Sequence, residues 1–168
     1  EMTAYTGLVT LVQLSACILG DKNRMSYDAG ISYIKNVLEA TKTLLKNPND
    51  LDTRSIIMMG ASLSTSSRLG IGKEEAYAYD IYELEFLPEK LFGSSYRRSL
   101  TSIFPRFLEA MGKRHKEDVR KYYLDVFGFD SSIEESSRKL VALFSDFGVD
   151  MYYDGIINRE QVGCIPCD

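Results

Sequence analysis

Several groups of side chains in this 168-residue sequence have types and spacings suited to chemistry. Asp80, Glu83 and Glu85 form an acidic run, and Asp80 and Glu83, three apart, fall on neighbouring positions of one helical face. Two carboxylates so placed can share a metal ion or a proton; a solvated acidic stripe is the plainer reading. Cys164-Ile165-Pro166-Cys167 has the spacing of a dithiol redox pair. That mechanism needs a helix starting at the first cysteine to lower its thiol pKa, and only Asp168 follows. Zinc would need two more ligands nearby, whereas the remaining cysteine, Cys17, lies in the first helix. The single histidine, His115, stands in Lys113-Arg114-His115-Lys116, a basic turn read as solvated surface with room for a weak anion contact. It has cationic neighbours and no adjacent nucleophile. Gly70-Ile71-Gly72-Lys73 lacks the strand and the longer glycine-lysine span of a phosphate loop and reads as a helix cap. Ser62, Ser64, Ser66 and Ser67 cluster at a helix end with no base beside them.

The elements that must hold these residues are helices. Thr3 to Leu19 is apolar on most of its circumference, which predicts a helix surrounded by others. Tyr27, Ile31, Ile34, Leu38, Thr41 and Leu45 form one stripe of an amphipathic helix over 26–46, closed by the turn Asn47-Pro48-Asn49-Asp50. A third helix is predicted over 52–68, ended by left-handed Gly70 and Gly72. A fourth follows over 73–86, with Glu74 and Glu75 against its positive end and Pro88 and Gly93 beyond it. The fifth, 95–111, carries Leu100, Phe104, Phe107 and Leu108 with Pro105 inside. The sixth, 116–127, buries Val119, Tyr122, Tyr123 and Val126. Ser132 and Glu135 have capping-box spacing and open a seventh, whose Leu140, Val141, Phe144 and Phe147 face inward as far as Gly148. Asn158 has the look of another helix start, and strands are least excluded at 151–157.

Composition sets the frame. With 45% hydrophobic and 26% charged residues the chain can bury a full core without disulfide or metal staples, and disorder is excluded. The apolar stretch Leu8 to Leu19 is interrupted by Thr10, Gln13 and Ser15 and falls short of the ~20 residues of a membrane span. Nothing at the start resembles a secretory leader, so a cytoplasmic location is expected. A net charge of −4 and a pI near 5.1 give no general attraction to nucleic acid or anionic lipid. The expectation is one all-α domain of about seven helices over 1–168, with 151–168 an irregular tail.

The ordered segments resemble the C-terminal helical domain of the iron-dependent alcohol dehydrogenases, in the butanol-dehydrogenase branch. The resemblance rests on Thr3-Ala4, on Lys42 to Asn47 followed by Asp50 to Arg54, and on Ile57 to Leu63. It continues through Leu69-Gly70-Ile71-Gly72-Lys73-Glu74, Ile103-Phe104-Pro105 and Val126-Phe127-Gly128, and covers about residues 3–150. It implies the all-α domain of the dehydroquinate-synthase-like fold. In that family an aspartate and three histidines hold iron or zinc. The resemblance puts Val9, Gln13, Asp80 and Tyr96 at those four positions, with Glu83 and Glu85 keeping two glutamates of the third motif.

Those substitutions change the chemistry. Valine has no lone pair, an amide oxygen is a weak neutral ligand, and a phenol is mostly protonated at neutral pH, so Asp80 alone remains a good donor. The family's reaction uses the metal as a Lewis acid, and its nucleotide-binding half has no counterpart here. The expectation is therefore a metal-free, non-catalytic binding or assembly module with no cofactor. In it Gln13, Asp80 and Tyr96 form a buried hydrogen-bonded cluster, and a homo-oligomer or a separate protein chain covers exposed apolar surface. The alternative is an oxidoreductase half, or a fragment of such an enzyme, completed by a nucleotide-binding chain with iron or zinc and NAD(P). There Asp80 or Tyr96 would be the proton donor, and Arg97 or Arg98 would lower the tyrosine's pKa.

Overall fold

The computed structural model describes residues 2–152. Among these are seven α-helices: α1 Met2–Ile18, α2 Arg24–Lys46, α3 Leu51–Ser64, α4 Asp80–Phe92, α5 Tyr96–Met111, α6 Lys116–Phe127 and α7 Ile133–Asp146. A 3-10 turn, Tyr77–Tyr79, leads into α4. No strand forms among the described residues; the one β-bridge joins Asp21 to Lys73. The all-α expectation holds. Cys164, Cys167 and the helix start expected at Asn158 lie outside the described residues, as does most of the 151–157 segment.

Local chemistry explains most boundaries. Asn23, Asp50, Ser95 and Ser132 each accept a backbone N–H of the following turn and so start α2, α3, α5 and α7. Of the capping box, the serine half is formed; the Glu135 carboxylate turns instead to Arg138 and Lys139. Gly93 and Gly128 end α4 and α6 in the left-handed conformation, with the paired backbone bonds of a Schellman close.

Helix α1 is the axis of the molecule. It touches α2, α3, α5 and the 3-10 turn, and Leu8, Leu11, Val12, Leu14 and Ile18 have no exposed surface. Gly7 lets α2 come close: a Cβ there would lie 2.0 Å from Thr41 Oγ1. Around this axis α5 packs on α4 and α7, and α6 carries fully buried Tyr122, whose hydroxyl lies 2.6 Å from Ser15 Oγ of α1.

The predicted fourth helix is displaced. Residues 65–76, expected to belong partly to α3 and partly to α4, instead form a loop laid across the C-terminal end of α1. Gly70 is left-handed, as expected, but it sits within this loop and does not cap α3, which ends six residues earlier. Gly72 is not left-handed; a Cβ on it would meet Asn23 at 2.3 Å. Glu74 and Glu75 therefore precede the helix, and Pro88, expected to break it, lies within α4. The inward face of α4 is Ile81 and Glu85, both buried, while Leu84, Leu87 and Leu91 are exposed. Leu45 is also exposed; Leu44 takes its place in the core.

Candidate functional site

The four sequence-predicted site residues come from three elements. Val9 and Gln13 sit one turn apart on α1, Asp80 opens α4 and Tyr96 opens α5. The fold brings two of them into contact. Gln13 Nε2 donates to Tyr96 Oη at 3.2 Å, and Gln13 Oε1 accepts from Ser64 Oγ at 3.4 Å. Both sides of the amide are thus engaged, by the start of α5 and the end of α3. Val9 is buried and supplies hydrocarbon only.

Asp80 departs from expectation. It is exposed on the first turn of α4 and makes no side-chain hydrogen bond or ion pair among the described residues, so it is not part of a buried cluster with Gln13 and Tyr96. Glu83 is exposed as well. Glu85 is the carboxyl that enters the interior: it is 4% exposed, and its Oε1 is buried without a hydrogen-bond partner. Burial, then the neighbouring Glu89 carboxyl one turn on, push its pKa up to about 7. The sequence marked Glu85 as part of the acidic run and through the resemblance, but not as the buried member; Ile81 and Glu85, one turn apart, form the face that α4 buries.

Tyr96 is half-buried. Burial pushes its phenol pKa up, the Gln13 bond opposes this, and the charges of Glu85 and Glu89 push it further up. The expectation that an arginine lowers it fails. Arg98 reaches Asp150 and the carbonyl of Tyr152, and Arg97 reaches Met2 Sδ. A phenol in this setting holds its proton.

One turn further along α1, Cys17 donates to the Ser64 carbonyl at 3.3 Å. Burial pushes its thiol pKa up, against weaker opposing effects of Tyr79 and Lys73. Lys73 crosses from the 65–76 loop, bonds the Ala16 carbonyl and lies 3.9 Å from the centre of the Tyr79 ring. Desolvation lowers its pKa. The glycine-lysine turn therefore closes the end of α1 and forms no phosphate cradle.

This donor set does not fit a divalent metal. A hydrocarbon, an amide already bonded on both sides, a phenol held protonated and a surface aspartate offer no convergent anionic ligands. Among the described residues no group of three or more His, Cys, Asp or Glu is placed to hold an ion.

His115 also differs from expectation. It is no solvated residue: its ring stacks on Tyr77 at 3.9 Å with an interplanar angle of 3°, and Nδ1 lies 2.8 Å from Glu75 Oε2. Tyr77 donates its hydroxyl to Asp118, which also accepts the Gly20 N–H at 2.8 Å. No pattern in the sequence announces this, because Glu75 and Tyr77 reach His115 only through the loop that replaces the expected start of the fourth helix.

No family model and no curated protein matches the sequence. The chain does share its fold with a solved structure, the substrate- and cofactor-free form of the aldehyde reductase YqhD from E. coli. The TM-score is 0.76 over 90% of this chain, at 16% identity. The chain spans 41% of that neighbour's length.

Proposed function

We propose that this chain is a helical module of the iron-dependent alcohol dehydrogenase type in which a hydrogen-bonded pair stands where the family binds metal, and that its role is binding or assembly. The observation that carries this reading is the Gln13–Tyr96 bond. It links two positions that the family gives to ligands, and it satisfies polar groups that would be costly if left half-buried and unpaired. The fold likeness to an aldehyde reductase supports the family relation. Exposed Leu84, Leu87 and Leu91 on α4, with Met58 and Met59 on α3, support a covering partner, either a second copy or a separate chain. No helix among the described residues is long and apolar enough to cross a membrane.

A second reading keeps the chemistry and moves it to a complex. The neighbour is an aldehyde reductase of which this chain spans 41%, which favours an oxidoreductase half completed by a nucleotide-binding chain. The two readings part in an assay of short alcohols and aldehydes with NAD(H) and NADP(H), with and without added iron or zinc, on the chain alone and together with a nucleotide-binding partner chain. For the full chain the module reading predicts no turnover above background. Turnover that needs Asp80, lost in Asp80→Ala, would overturn it.

A further inference from the structure

Helix α4 buries Ile81 and Glu85 and leaves another side bare. On that side Leu84, Leu87 and Leu91 follow one another at three and four residues and form one exposed apolar stripe. Glu83, Leu87 and Lys90 follow at four and three, so the two charged residues lie on the same flank of the stripe. Charge on this side is sorted by end: Asp80 and Glu83 stand in the first turn and Lys90 in the last. Asp80 and Glu83 make no side-chain hydrogen bond or ion pair among the described residues. Lys90 forms no ion pair among them either, its ammonium standing 5.8 Å from the centre of the Phe86 ring. The order suits the helix dipole. It also makes the helix complementary to a reversed copy of itself.

We propose that the bare face of α4 pairs with α4 of a second copy of this chain, antiparallel about a two-fold axis near Leu87, with the leucines as the seam and Glu83 against Lys90 of the second copy. The pairing rests on the assembly role proposed above and gives it a partner. A two-fold axis across the seam exchanges the helix ends and keeps the same flank of both helices on one side. Within one residue's rise, about 1.5 Å, Leu84 then meets Leu91 of the second copy and Glu83 meets its Lys90, twice in each dimer. A parallel pair would set the acidic first turns side by side, with the charged flanks on opposite sides. A contact made by one helix face belongs at the small end of specific interfaces, below about 1,200 Å² in total, so the dimer forms in a concentration-dependent way.

The test is sedimentation of the parent chain, Glu83→Lys, Lys90→Glu, the double exchange, and an equimolar mixture of the two single variants, each checked for native circular dichroism. All the substitutions lie on exposed side chains. Each single variant puts like charges together at two contacts and should weaken self-association roughly tenfold. The double exchange should return it to about the parent's strength, and the mixture should form heterodimers tighter than either variant forms alone. A monomeric parent, single variants that dimerise as well as the parent, or a loss that neither the exchange nor the mixture repairs would each overturn the pairing. None of these outcomes bears on the metal-free reading, which the turnover assay tests separately.

Discussion

Glu85 is the residue whose chemistry is most displaced by the fold. A carboxyl with a folded pKa of about 7 against an ordinary 4.5 binds an extra proton in the folded state between those values. Its neutral form is accommodated and its charged form penalised. This contribution to stability is complete below about pH 4.5 and is lost as pH rises to about 7, on the order of 3 kcal/mol. Glu85→Gln removes the titration and can still donate to Glu89. Denaturant unfolding should show the variant more stable than the parent at pH 8, with the difference shrinking toward pH 5; a constant difference would contradict the assignment. At Tyr96 the expected effect is smaller. Tyr96→Phe strips Gln13 of one partner and should lower stability by roughly 1 kcal/mol in the same measurement. The Gln13–Tyr96 contact could be anticipated because the resemblance aligns both positions with one ligand set. That Asp80 would stay outside could not be, because which face of α4 turns inward is decided by its packing on α5, a long-range contact.

Among the elements, α1, α2, α5, α6 and α7 could be read from their apolar period and capping residues, since in each the buried stripe and the local signals agree. The region from Thr65 to Tyr79 could not. Its glycines and charged residues suit a cap and a helix start equally well. The deciding contacts are long-range: Lys73 to the Ala16 carbonyl, the Gly70 N–H to Ser26 Oγ, and Tyr77 to Asp118. The α1–α2 contact offers a test of the close approach on which the axis depends. Alanine is favoured over glycine in a helix by about 1 kcal/mol, yet a Cβ at Gly7 would sit 2.0 Å from Thr41 Oγ1, on a β-branched side chain already tied to the Val37 carbonyl. Overlap of this kind costs about 1–3 kcal/mol beyond the propensity gain. Gly7→Ala should therefore lower the melting temperature, and a variant as stable as the parent would show that α2 can recede.

At the scale of the molecule, α4 is turned against the ordinary order, with a carboxyl inside and Leu84, Leu87 and Leu91 outside. Such a face is costly in water and invites a cover. Of the two proposed covers, a second copy or a separate chain, the second copy is the one sedimentation tests. Sedimentation should show concentration-dependent dimers that Leu87→Asp with Leu91→Asp converts to monomers, and a parent chain monomeric at all concentrations would contradict this. The Gln13–Tyr96 pair is where the proposed loss of metal binding is tested most directly. The direct measurement is calorimetric titration of Fe(II) and Zn(II) into the Cys164→Ser/Cys167→Ser variant of this chain, so that those two thiols cannot compete. No tight, stoichiometric heat is expected from the Val9, Gln13, Asp80 and Tyr96 positions. One ion bound per chain, and lost on Asp80→Ala, would contradict it.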